Sequence, residues 1–175
     1  VAAWECNVGV VKVLTRYSNV SVNHVSKGGN VPLHLPLLSS TWDCHGLGPI
    51  KSRVAVMRTL LDEPTVNTGA TNDDGNSALH LACLLGQGKV VQMIVARLRS
   101  KHIALLKTML LIHRRLPVTE IPVPREIFIH VVQTFLHPLR AGLTLRNKAN
   151  QTPLSILEDK HPELLQRLRF MKALP

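Results

Sequence analysis

The stretch from Asp74 to Val91 constrains the fold more than any other part of the chain, because its punctuation fits one arrangement of turn, short helix, turn and second helix. Gly75 permits a left-handed turn residue, Ser77 is placed to cap a helix, and Leu79, Ala82 and Cys83 share one helical face before Gly86 stops it. Lys89 then begins a second helix. Parts of this unit recur. Gly29 precedes Val31-Pro32-Leu33-His34 as Gly75 precedes Ser77-Ala78-Leu79-His80, and Asn150 precedes Thr152-Pro153-Leu154-Ser155. Asn is the other residue that tolerates a left-handed backbone. The second helices carry Val10-Val11-Lys12, Val90-Val91-Gln92, Val131-Val132-Gln133 and Leu164-Leu165-Gln166. The spacing from Val10 to Val31 is 21 positions, that from Val131 to Thr152 is again 21, and that from Val131 to Leu164 is 33. Thin helix pairs repeating at such a period bury their apolar faces only against one another. The expected fold is an all-α solenoid.

Composition agrees. Aromatic residues make up 3% of the chain against 45% hydrophobic residues overall, so the core is built from Leu, Val, Ile and Ala, which suits stacked helical layers better than a β-sandwich. Three cysteines, Cys6, Cys44 and Cys83, form no C-x-x-C pair, which speaks against a disulfide framework or a zinc ribbon and for a reducing compartment. The apolar run from Ile103 to Ile112 is interrupted by Lys107 and ends at His113-Arg114-Arg115, short of the roughly 20 residues of a membrane span. A cytoplasmic setting, with a nuclear one possible, is the expectation. The chain opens inside a repeat at Val1-Ala2-Ala3, so it reads as a piece of a longer protein.

Ser77-Ala78-Leu79-His80-Leu81-Ala82 resembles the T-P-L-H-x-A signature of the ankyrin repeat, whose period is about 33 residues. The resemblance extends, with degeneration, over nearly the whole chain. It implies about four to five repeats with short hairpin fingers, in approximate units 1–28, 29–73, 74–100, 101–148 and 149–175. It also implies a non-catalytic protein-interaction or scaffold module. Two departures stand out in the second unit: Val31 lacks a capping hydroxyl, and Pro36 falls where the family has a small helix former, so its first helix should be kinked or shortened. From Val31 to Ser77 is 46 positions, which makes Thr41 to Pro49 an inserted loop. From Ser77 to Thr152 is 75 positions, two periods with about nine residues over. The preferred parse fills that gap with a degenerate unit, Lys101 to Arg115 as its inner helix and Arg125 to Leu139 as its outer helix. The rival parse makes Lys89 to Arg115 one long helix followed by an insertion. The order of features, with Val66-Asn67-Thr68-Gly69-Ala70-Thr71-Asn72 before an L-H pair and Leu145-Arg146-Asn147-Lys148 before Gln151-Thr152-Pro153-Leu154, is similar to the later ankyrin region of the mind-bomb family of ubiquitin ligases. That likeness implies a substrate-binding or scaffolding part of a RING-type ligase acting in Notch signalling.

No catalytic constellation is legible. His80 and Cys83 lie three apart without a third ligand, Cys44-His45 has no second pair, and His130 and His137 are seven apart, a spacing that means a shared helix face. No metal or cofactor is expected, and the glycine-rich pieces lack the G-K-[ST] context of a phosphate loop. A net charge of +10 leaves two partner classes open. One is another protein, met across the finger tips Lys27, Asn30, Asn72, Asp73, Asp74, Arg146, Asn147 and Lys148 and the inner-helix face near Leu85 and Gln87, a basic, acidic, basic series along one edge. The other is nucleic acid or an acidic protein, met through Arg97, Arg99, Lys101, Lys107, Arg114 and Arg115. No aromatic residues interleave with that second set for base stacking, which ranks nucleic acid below protein.

Overall fold

Polar bonds between units and a continuous aliphatic seam build the chain into two helical layers joined by fingers. The computed structural model describes residues 1–17, 20–39, 49–115 and 142–170, with side chains omitted at 49–50, 101–102 and 105–115. The helices are α1 (Val8–Leu14), α2 (Leu35–Leu38), α3 (Pro49–Asp62), α4 (Ala78–Leu84), α5 (Gly88–Arg115), α6 (Pro153–Lys160) and α7 (Pro162–Phe170). The inner layer stacks α2 on α4 and α4 on α6, and the outer layer runs α1, α3, α5, α7, each packed on the next. Within a unit, α2 pairs with α3, α4 with α5 and α6 with α7. Among the described residues the extended structure is a single antiparallel bridge, Thr71 to Ser77, which closes the second finger.

Each inner helix shows why its sequence does or does not hold. In α4, the Ser77 hydroxyl accepts from the His80 backbone N–H at 3.4 Å and meets His80 Nδ1 at 2.8 Å, a reciprocal cap at the first turn. Every residue from Ala78 to Cys83 is buried, because α2, α5 and α6 enclose the helix on three sides. In α6, Thr152 Oγ1 accepts from Ser155 N at 3.1 Å while Thr152 N donates to Ser155 Oγ at 2.9 Å, and Pro153 occupies the first turn where its missing N–H costs nothing. In α2 the expected shortening is present: the helix has four residues, Pro36 stands in its first turn, and no side chain caps it. Val31 N still donates to His34 Nδ1 at 3.4 Å, but the hydroxyl half of the cap is missing, a loss worth about 0.5–2 kcal/mol.

The boundary expected near residue 100 is not a helix boundary. Helix α5 runs unbroken for 28 residues to Arg115, so Lys101 to Arg115 continues the outer helix of the third unit instead of opening a fourth. The unit that begins at Pro153 is the direct neighbour of the unit that begins at Ala78, through α4 against α6, α5 against α7 and a backbone bond between their fingers. The physical reason for the unbroken helix is the absence of any stop signal: between Lys89 and Arg115 there is no glycine or proline. The proposed outer helix Arg125 to Leu139, the loop Thr41 to Gly48, and the pairs Cys44-His45 and His130-His137 lie outside the described residues.

Candidate functional site

The edge formed by the fingers is built by a repeated set of bonds. Asn72 N donates to Asn76 O at 3.0 Å, and Asn72 Oδ1 accepts from Asp74 N at 3.1 Å and Asn76 N at 2.9 Å, folding the second tip around one side chain. Asn147 does the same in the third, its Oδ1 accepting from Gln151 N at 2.9 Å. Adjacent tips are then pinned together. Asp73 N donates to Gly28 O at 3.0 Å, and Lys148 N donates to Asp74 O at 2.9 Å. The turn residues Gly29, Gly75 and Asn150 have φ of 71°, 75° and 61°, so the register read from the sequence places a left-handed residue in each finger.

Two histidines fasten the inner layer to this edge. His34 Nε2 donates to Ala70 O and His80 Nε2 to Gln151 O, both at 3.1 Å, while each Nδ1 accepts a backbone N–H of its own unit. Both rings are fully buried, and burial is the main cause that pulls their pKa values below the usual histidine value, opposed by the carbonyl bonds. They are neutral spacers between repeats. Cys83, on the same helix as His80, is 1% exposed, and burial pushes its thiol up to about 12, which disqualifies it as a thiolate nucleophile or ligand at neutral pH. Among the described residues no group of three His, Cys, Asp or Glu gathers around a point.

A left-handed finger turn, an inner helix opened by Ser77 and His80, and a ring reaching the next finger come together in the unit that begins at Asp74. The ankyrin repeat family model matches residues 74–111. Among solved structures, that of EF0377, an ankyrin repeat protein, aligns over 97% of this chain and 94% of its own at 13% identity and a TM-score of 0.44. No curated protein matches the chain. Ankyrin repeats mediate contacts between proteins, generally across a concave face of the stack.

The expected contact residues divide into two groups. Lys27, Asp73, Asp74, Arg146 and Lys148 are exposed along the finger edge, and Leu85 is exposed at the end of α4 with Gln87 half-buried beside it. Asn72 and Asn147 belong to the second group. Asn72 is 9% exposed, and Asn147 Nδ2 donates to Asn76 Oδ1 at 3.0 Å, so both side chains close and join fingers. Asn30 is half-buried, with its side-chain oxygen enclosed. Arg146, though exposed, donates from Nη1 to Asn150 O at 2.8 Å and bridges its own finger. The alternative basic stretch loses its first member: Arg97 Nη2 donates to Glu63 O at 2.9 Å, stapling α5 to the end of α3. Arg99 is half-buried, and the side chains of Lys101, Lys107, Arg114 and Arg115 lie outside the described residues. Sequence reasoning missed Asn23, whose Nδ2 donates to Thr65 O and whose Oδ1 accepts from Asn67 N, both at 2.8 Å, tying the first two fingers at their base. Its signal was a repeated dipeptide: Val22-Asn23 and Val66-Asn67 each lead into a finger. No helix among the described residues is long and apolar enough to cross a membrane.

Proposed function

We propose that this chain is a protein-interaction module whose partner lies across the finger edge and the exposed end of α4. The observation that carries the reading is the pair of backbone bonds between tips, Asp73 to Gly28 and Lys148 to Asp74, which line up Lys27, Asp73, Asp74 and Lys148 as a basic, acidic, basic series. A rigid row of alternating charge selects a partner of opposite pattern and penalises like-charged ones. The test compares proteins captured by the immobilised chain with those captured by a variant carrying Lys27→Glu, Asp73→Lys and Lys148→Glu. Arg146 is left intact because it holds its finger closed. Loss of a captured protein, with the circular dichroism unchanged, supports the surface; an identical captured set removes it.

A finer reading places the stack in a ubiquitin ligase of the mind-bomb type, where it would hold a substrate in Notch signalling. What supports it is the likeness of residues 66–72, 145–148 and 151–154. The captured proteins test it directly, since a ligase scaffold brings down its substrate or a receptor ligand.

A further inference from the structure

A second surface lies on the outer layer, lined by none of the finger residues. There a groove of about 480 Å3 runs across α1, α3 and the start of α5, and Lys12, Lys51, Arg58 and Lys89 all line it with one carboxylate, Asp62. All five side chains belong to exposed residues. None of the four cations closes an ion pair; Arg58 and Asp62, one helical turn apart on α3, do not meet, and the ion pair among the described residues is Arg169 with Glu158 elsewhere. Lys51 and Lys89 sit in the first turns of α3 and α5, which hold no acidic residue, so their charge adds to the positive end of each helix dipole instead of offsetting it. Four like charges brought to one concavity repel one another in the absence of an anion.

We infer that this groove is a docking site for an acidic peptide segment of a partner protein, separate from the finger edge. Its floor decides the class of anion. Val8, Val54 and Ala55 are half-buried apolar surface between the cations, and no aromatic ring lines the groove to stack a base. An extended peptide presents alternate residues to opposite sides, so acidic side chains meet the rim while apolar ones meet the floor. The volume admits a few such side chains at a time.

The experiment measures fluorescence anisotropy of a short labelled peptide alternating Glu and Val against the whole chain at low salt. The peptide is expected to bind, and a peptide with Gln in place of Glu is not. Lys51→Glu with Arg58→Glu should weaken binding about ten-fold or more, and added salt should weaken it further. Lys51→Gln with Arg58→Gln gives a smaller loss and serves if the reversed pair fails to fold. Lys27→Glu with Lys148→Glu, on the finger edge, should leave the affinity unchanged. The inference is overturned if the acidic peptide does not bind, if the finger-edge variant weakens it as much as the groove variant, or if a single-stranded oligonucleotide of equal charge displaces it at the same concentration.

Discussion

Replacing Gly75 tests the inter-finger contact on which the stack depends. At φ 75° an alanine pays the left-handed cost of about 1–2 kcal/mol. Its Cβ would also lie 2.9 Å from Lys148 N and 3.1 Å from the Asn147 Cα, all backbone atoms that cannot rotate away, so the fingers must separate. Separation stretches Lys148 N to Asp74 O and Asn147 Nδ2 to Asn76 Oδ1, at 2.9 and 3.0 Å. Each bond is worth about 0.5–1.5 kcal/mol net, so their joint loss adds about 1–3 kcal/mol. Gly75→Ala should therefore cost about 2–5 kcal/mol. Gly75→Asn isolates the steric part, since Asn already adopts this backbone conformation at Asn150, and should cost about 1–3 kcal/mol. The reverse change, Asn150→Gly, loses only an acceptor 3.2 Å from Arg146 and should stay within about 0.5 kcal/mol. Urea unfolding gives the three values, and amide exchange at Lys148 reports finger separation. Gly75→Asn indistinguishable from the parent, with Lys148 equally protected, would refute the argument that the neighbouring finger requires glycine there.

Two further outcomes are expected. Because burial lowers the folded-state pKa of His34 and His80, the unfolded chain binds more protons just below its own histidine pKa of about 6.5; stability is complete above that pH and falls as pH drops through it. The urea midpoint should decline between neutral pH and the onset of carboxylate titration, and His34→Gln with His80→Gln should flatten the slope; a midpoint independent of pH contradicts the assignment. In hydrogen exchange, amides of α2 should open before those of α4, since α2 is four residues long and lacks a side-chain cap while α4 is enclosed and capped on both partners. Equal protection of Leu38 and Ala82 would remove that ranking.

The parts of the fold that sequence reasoning reached are those that local stereochemistry dictates. Gly29, Gly75 and Asn150 mark left-handed turns, Ser77 marks a cap, and Pro36 marks a shortened helix, because each residue type has one physical reason to stand there. What it could not reach depends on which unit neighbours which. The periodicity of Lys101 to Arg115 suits an inner helix as well as a continued outer one, and only the α4 to α6 contact shows that the stack passes from the third unit to the last. At the candidate site the same limit applies. Asn72 and Asn147 have the polarity of a wet tip, yet their amides serve the fold, and nothing in a single residue's identity separates those roles. The cations of the outer groove are 77 positions apart from Lys12 to Lys89 and share a surface only because α1, α3 and α5 are adjacent.

The direct seating of the last unit on the third has a kinetic side. His34 and Ala70, which join the second inner helix to the finger that follows it, are 36 positions apart, whereas His80 and Gln151, which make the same bond one interface later, are 71 apart. Closing a loop about twice as long costs only about 0.6 kcal/mol more in chain entropy. The final interface should thus close after its neighbours during folding yet lose little stability.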